Sequence, residues 1–512
     1  MPDKVIGNRL IAKNATMLYL RMFVTMAISF YTSRIVLKAL GVSDYGVYNV
    51  VGGVIVMIST LTGALGGATS RFLTFALGKK DMENLKTTFS TAFYIHLALA
   101  ILFVVVAESV GVWFVNTQLV IPEGRMGAAN WVFQAVIVST ALGMTQVPYS
   151  ASITSHEKMA TFAYIAILDA VIKLGIAFMV LYSSVDHLKL YSILLMVKSV
   201  SFQIYYRFYC IRHFDECHIT RRFEKGIFRE MLSFSGWSMV GSLSLMFKNQ
   251  GVNILINRFF GTLINAAVGV AAQVQGILYA FTNNVMVAFR PQIIKEYASG
   301  NYPRMNELIG MGARFSSLVT ILTTIPFIFS MQFLMSLWLE NVPVGAVEIC
   351  QILLFTNFFN SFNPYLYLGV NASGRIRNMN IALSILYILS LFITYVILKL
   401  THSYLLSYSI GILSAPASTI IYVVILKKLV PEFRVGEFFL KTYIPMALVA
   451  ILSLMLAWML SNIGLNQLLS FLLVAIVCTY FVCFSVYTWV LDAHSKRIFV
   501  NFVKSKLHIR NK

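Results

Sequence analysis

Five charged residues fall inside stretches that are otherwise apolar. Arg21 lies two turns into the first stretch, Asp169 and Lys173 near the middle of the fifth, Lys198 near the middle of the sixth, and Lys248 deep in the seventh. A lone charge at the centre of a hydrocarbon layer costs about 3 kcal/mol on insertion scales, so such residues are kept for binding, coupling or pairing. Asp169 and Lys173 are four apart, a spacing that puts both on one helix face and permits an ion pair. A structural pair and a coupling pair are both open at this point. Arg21, Lys198 and Lys248 have no acid within one turn on their own helices. Either they snorkel to the interface, or they line a wet cavity; with Lys173 counted and Asp169 subtracted, such a cavity would attract anions.

Uncharged polar residues form a second group. Asn253 and Asn257 stand in the seventh stretch among further amides, and amides facing lipid would lack hydrogen-bond partners. They are either interhelical glue or contacts for hydroxyl-rich cargo. Pro148, Pro326 and Pro364 each remove a backbone donor inside an apolar stretch, and Gly66 with Gly67 adds a flexible point. Hinges and simple packing kinks are both consistent with them.

These residues need a scaffold, and the composition dictates its kind. Of 512 residues, 58% are apolar and 12% charged, with a mean hydropathy of +0.77. Soluble domains stay near half apolar and a quarter charged, so a water-soluble enzyme is excluded. Crossing a bilayer takes roughly 20 residues of helix, and segments of that kind can be placed at 15–37, 45–70, 87–112, 128–153, 159–183, 188–210, 231–257, 265–289, 310–337, 346–370, 378–400, 403–426, 442–462 and 466–491. The expected fold is an all-α polytopic membrane protein of about fourteen helices. Its organisation is an N-lobe over 1–229 (helices 1–6), a C-lobe over 230–430 (helices 7–12), and helices 13–14 with a basic tail over 431–512.

Scored in alternation, the connectors place thirty of the 40 Lys and Arg residues on one side, seven on the other and three within spans. The positive-inside rule then puts both termini in the cytoplasm. It also accounts for the net charge of +20 without nucleic acid, which would need its basic residues clustered on a soluble domain. The first stretch carries Arg21 and no small-residue cleavage site, so it reads as a retained span. No P-loop, metalloprotease motif or nucleophile elbow occurs, so neither ATP chemistry nor another enzyme activity is expected, and no cofactor. Cys210, His213, Cys217 and His218 match no usual zinc spacing, and no metal is expected. Five scattered cysteines imply no disulfide framework.

The two halves echo one another. Lys38-Ala-Leu-Gly41 at the exit of the first span lies over Arg258-Phe-Phe-Gly261 at the exit of the seventh, Arg71 over Arg290, and Gly78-Lys-Lys-Asp-Met over Gly300-Asn-Tyr-Pro-Arg. Six spans separate the copies, an even number, so both would have one orientation and be related by an axis along the membrane normal.

Asn14-Ala-Thr-Met-Leu-Tyr-Leu-Arg21, Lys38-Ala-Leu-Gly-Val-Ser-Asp-Tyr-Gly46 with Tyr48-Asn-Val-Val51, and Ala68-Thr-Ser-Arg71-Phe resemble polysaccharide-biosynthesis flippases of the multidrug/oligosaccharidyl-lipid/polysaccharide exporter superfamily, with its MATE-like fold. The likeness is strongest over the first 90 residues. It implies two six-helix lobes that move an undecaprenyl-pyrophosphate-linked oligosaccharide from the cytoplasmic to the outer leaflet of a bacterial inner membrane, for surface polysaccharide or lipopolysaccharide assembly. Its partners would be membrane lipids and a glycan polymerase or other assembly proteins. By the same resemblance Arg21 best matches a cationic cavity, with Arg71 and Arg290 as weaker matches near helix ends. An ion-coupled multidrug antiporter of the same fold is the alternative.

Overall fold

The computed structural model describes residues 2–117, 121–220, 224–339 and 342–490; the side chains of 2–12, of 52–65 and of scattered helical positions, Asn257 among them, lie outside the described residues. Every regular element among these residues is helical: α1 (Pro2–Lys79), α2 (Met82–Val106), α3 (Val112–Thr117), α4 (Met126–Ser155), α5 (Met159–Leu181), α6 (His187–His213), α7 (Lys225–Ala298), α8 (Tyr302–Trp338), α9 (Ala346–Asn360), α10 (Asn363–Ser373), α11 (Arg377–Thr401), α12 (Tyr404–Leu429), α13 (Val435–Phe438), α14 (Ile444–Ser461) and α15 (Gln467–Ser485). A single π-helical turn, Ala107–Gly111, joins α2 to α3.

Two helices are longer than any single crossing. At 1.5 Å per residue, the 78 residues of α1 would measure roughly 115 Å, against roughly 30 Å of hydrocarbon. α1 therefore contains the first two expected spans, and between them Gly41 leaves the helical region at φ 73, ψ 168. α7, with 74 residues, likewise contains the seventh and eighth. The sequence reads a loop at each of these exits. At Gly41 those dihedrals interrupt the helix, so α1 is two helices meeting at a kink; the exit within α7 holds no proline, no backbone donor is missing, and helix carries through it. The tenth expected span differs in the other direction: it breaks after Asn360 and restarts at Asn363, with Pro364 in the first turn of α10, where its missing N–H costs nothing.

Helix starts in the second half shadow those in the first. Met82 and Tyr302, Met126 and Ala346, Met159 and Arg377, and His187 and Tyr404 open corresponding helices, each pair 217 to 220 residues apart. The caps correspond as well. Asp81 accepts from the Asn84 amide and Asn301 from the Arg304 amide at one pair of starts; Asp186 accepts from Lys189 and Ser403 from Leu406 at another. Side-chain oxygens there satisfy amides that the first turn leaves unpaired.

The chain divides into two compact units. One holds Met1–Met239 and Arg290–Gly300; the other holds Val240–Phe289 and the described residues from Asn301 on. In the first, α1 packs on α4 and α5, and α4 on α2 and α6. In the second, α12 packs on α9, α10 and α11, and α8 on α9, α14 and α15. Outward faces are apolar, with Ile204 63% and Leu413 75% exposed. Nine segments among the described residues are long and apolar enough to cross a membrane. Together these features make a multi-pass membrane protein. The other five expected spans are the second part of α1, α6, the two in α7, and the broken α9–α10 stretch.

Candidate functional site

The first unit gathers four of the sequence-selected charges. Asp169 of α5 accepts from Lys173 at 2.7 Å on its own helix and from Lys198 of α6 at 2.6 Å. The cross-helix partner of Lys198 is invisible to a search along one helix. Lys198 also stands 5.7 Å from the centre of the Phe202 ring. Arg21 of α1 lies 5.0 Å over the ring of Phe162 on α5. Tyr206 of α6 interacts electrostatically with both Arg21 and Asp169. Three helices thus converge on a cluster of three cations and one carboxylate.

The second unit holds a different arrangement. Lys248 of α7 donates to Ser414 Oγ of α12 at 3.1 Å and sits 5.4 Å over the ring of Tyr387 on α11. Ser418 and Tyr422 both act electrostatically on the Tyr387 hydroxyl. Among the described residues no carboxylate lies within ion-pair distance of Lys248. It is a half-buried ammonium held by a hydroxyl and a π face, both weaker counterparts than a carboxylate.

The two clusters share a spacing along the chain. Lys198, Phe202 and Tyr206 stand four apart on one face of α6; Ser414, Ser418 and Tyr422 repeat that spacing on α12, 216 positions later. Asp169 on α5 corresponds to Tyr387 on α11, 218 positions later. Each half of the chain thus carries a polar node, and the two nodes differ in charge. Sequence reasoning selected the charged members and missed Phe162, Tyr206, Tyr387 and Ser414. The four-residue spacing on α6 and α12 is the signal that could have found the tyrosines.

Other candidates lie apart from these nodes. Arg71 is 6% exposed and boxed by the rings of Phe72, Phe75 and Phe234 at 4.6, 4.9 and 5.7 Å, with Glu230 and Tyr297 also acting on it. Arg290 is half-buried where the chain re-enters the first unit. The amide of Asn253 points to Gln250 on its own helix at 3.4 Å; the side chain of Asn257 lies outside the described residues. Among the hinge candidates, Gly66 approaches Val147, the neighbour of Pro148, so closely that an added Cβ would lie 3.2 Å away. Gly67 has open space at that distance. Pro326 lies inside α8, whose dihedrals leave the helical range at Ser330.

Two further ion clusters fasten the loops of the first unit. Arg125 binds Asp44 through two nitrogens, one at 2.8 Å, and Asp186 at 2.9 Å. Although burial acts the other way, the Asp44 and Asp186 hydrogen bonds hold the Arg125 guanidinium above its ordinary pKa. Against the opposite pull of burial, the Lys189 amide and Arg125 hold the Asp186 carboxyl below its own. Beside them His187 faces two carbonyls, Ser183 and Ala39, which raise its pKa. In the second cluster Glu157 accepts from Gln292 and Lys295, both at 2.6 Å.

Among the described residues no three His, Cys, Asp or Glu side chains gather as a metal site. No family model and no curated relative matches the sequence. Solved structures do. A crystal structure of MATE in the bent conformation is 14% identical, with a TM-score of 0.69 over 83% of this chain and 97% of that one. An outward-facing multidrug resistance MATE family transporter of the MOP superfamily is 12% identical, with a TM-score of 0.69 over 83% of this chain and 98% of that one. A Vibrio cholerae MATE transporter is 14% identical, with a TM-score of 0.62 over 82% and 98%. At such identities the likeness speaks for architecture, and the chain has the MATE-like fold.

Proposed function

We propose that this chain flips a lipid-linked oligosaccharide from the cytoplasmic to the outer leaflet of a bacterial inner membrane by alternating access. In this reading fourteen helices form two parallel six-helix repeats plus a C-terminal pair, both termini are cytoplasmic, and the membrane-embedded cations bind the pyrophosphate while the lipid tail stays in the bilayer. The observation that carries it is Lys248, an ammonium within an apolar segment whose partners are a hydroxyl and a ring. A residue so placed keeps its attraction for an incoming anion, because among the described residues no carboxylate neutralises it. Arg21 and the surplus cation of the Asp169 cluster add charge of the same sign. The amides of α7 and α9 suit sugar hydroxyls.

The alternative is an ion-coupled multidrug antiporter, favoured by the multidrug transporter among the similar structures. Such a machine needs a membrane carboxylate free to exchange its ion. Asp169 is held by two lysines at once, which argues for the flippase. Deleting the gene and following the leaflet distribution of lipid-linked oligosaccharide tests the choice. Accumulation on the cytoplasmic leaflet, reversed by the wild-type gene, is expected. Unchanged distribution with new drug sensitivity would select the antiporter.

A further inference from the structure

One polar patch in the first unit belongs to neither charged node. The apolar run of α2, Leu97 to Ala107, ends at Glu108, and that of α4 begins after Gln134. At 36 residues, Met82–Thr117 is longer than the roughly 20 a bilayer needs, so its far end reaches the headgroup layer. The π-helical turn Ala107–Gly111 sits at this boundary. Gly111 meets the Phe133 ring so closely that an added Cβ would lie 2.6 Å from it. Without that Cβ, α2 and α4 close up, and Gln134 donates to Glu108 Oε2 at 2.9 Å. Further out, Asn116 and Asn130 donate to one another's amide oxygens at 3.1 and 2.9 Å. Trp113 on α3 and Trp131 on α4 are 55% and 53% exposed.

Where the protons go decides what the patch can bind. The Asn116 amide also donates to the Val112 carbonyl at 2.8 Å, and the Asn130 amide to the Met126 carbonyl at 3.2 Å. Both N–H bonds of each amide are thus spent, and what remains are oxygen lone pairs. Glu108 adds further lone pairs and a negative charge. Between residues 87 and 138 the one Lys or Arg is Arg125, already bound to two aspartates.

Such a surface accepts far more than it donates. A phosphate would be repelled, and a neutral sugar would leave the carboxylate unmatched. A quaternary ammonium has no N–H to give the oxygens, whereas a primary ammonium supplies three beside its charge. The exposed indoles offer π faces to the same cation. Below Glu108 on α2, Val105 and Ile101 continue one exposed apolar face at helical spacing, a bed for an acyl chain. We infer that this face holds a phospholipid with a primary-ammonium headgroup, its counter-ion Glu108 and its further acceptors the neighbouring amide oxygens. The inference rests on the first unit alone and holds whichever cargo the chain carries.

Native mass spectrometry of the purified full-length protein in micelles, titrated with phosphatidylethanolamine or with phosphatidylcholine of the same chains, tests it. Wild-type protein should bind the ethanolamine lipid saturably and about tenfold more tightly than the choline lipid. Glu108→Gln, at an exposed position, should abolish that preference, and Glu108→Asp should keep part of it. The comparison of two lipids on wild-type protein carries the test should Glu108→Gln fail to fold. Equal affinity for both lipids would overturn the inference, as would an unchanged preference in monodisperse Glu108→Gln. Displacement of the lipid by an equal concentration of free ethanolamine would also overturn it, since the acyl chain would then add nothing. With no oligosaccharide present, each result leaves the flippase reading untouched.

Discussion

Lys198 Nζ lies 2.6 Å from Asp169 Oδ1 across the α5–α6 interface, while Lys173 holds the other oxygen of the same carboxylate. The two lysines are not equivalent: the side chain of Lys198 is 11% exposed and that of Lys173 46%. Asp169→Asn strands a buried ammonium beside a second cation, a change worth about 2 kcal/mol at this partial burial. Lys173→Gln removes an exposed partner and should cost less than about 1 kcal/mol. Denaturant unfolding in micelles would compare them. Equal losses would mean that the interhelical pair adds nothing beyond the local one.

That pair also marks what the sequence can and cannot say. Hydropathy finds the apolar segments because burial in lipid leaves its mark on every residue of a span, and the i, i+4 spacing finds Lys173. The Asp169–Lys198 contact joins residues 29 apart on different helices and depends on packing that no local pattern encodes. The partners of Lys248 are more distant still, 166 positions away for Ser414. At the first exit the structure keeps a break, a kink at Gly41, whereas α7 runs through the corresponding exit because no missing donor stops it there. The break between Asn360 and Asn363 leaves no mark in hydropathy, because the apolar run continues straight through it.

His187 supplies a pH dependence. Its Nδ1 lies 2.6 Å from the Ala39 carbonyl and its Nε2 3.0 Å from the Ser183 carbonyl, so both nitrogens can donate only in the imidazolium form. Those two carbonyl bonds, with the charges of Asp186 and Asp44 adding to them, raise its pKa against the pull of burial. A raised folded pKa stabilises in full below the ordinary value of 6.5 and fades as pH climbs through the folded value. The gap in unfolding midpoint between wild type and His187→Gln should be widest in acid and shrink toward alkaline pH. A gap independent of pH would rule out the charged form.

Glu157 combines strain with a buried contact. Its φ is 60, unusual for a residue with a Cβ, and its carboxylate ties Gln292 and Lys295 to the α4–α5 turn. Glu157→Ala keeps the strain and loses both bonds, a cost of about 3 kcal/mol. Glu157→Gly loses the bonds but relieves about 1 kcal/mol of strain. Glu157→Gln keeps the shape and one acceptor oxygen. Thermal unfolding should therefore rank Gln above Gly and Gly above Ala. Alanine as stable as glutamine would show that the carboxylate does not hold the segment.

Lys248 separates an anion site from a packing lysine. Its Ser414 hydrogen bond and Tyr387 ring contact hold the ammonium in place without neutralising it. If that charge meets the pyrophosphate of the cargo, Lys248→Arg should retain export. Lys248→Met, similar in length and apolar, should lose about 2 kcal/mol of charge-assisted pairing and with it about thirtyfold in affinity. Ser414→Ala removes only one positioning bond and should cost about 1 kcal/mol, roughly fivefold. A lysine kept for packing predicts the opposite order, because methionine fills an apolar site better than arginine does. Export of glycan by cells carrying equal levels of each variant gives the readout. Normal export by Lys248→Met together with impaired export by Lys248→Arg would assign the residue to packing and leave Arg21 and the Asp169 cluster as the remaining anion contacts.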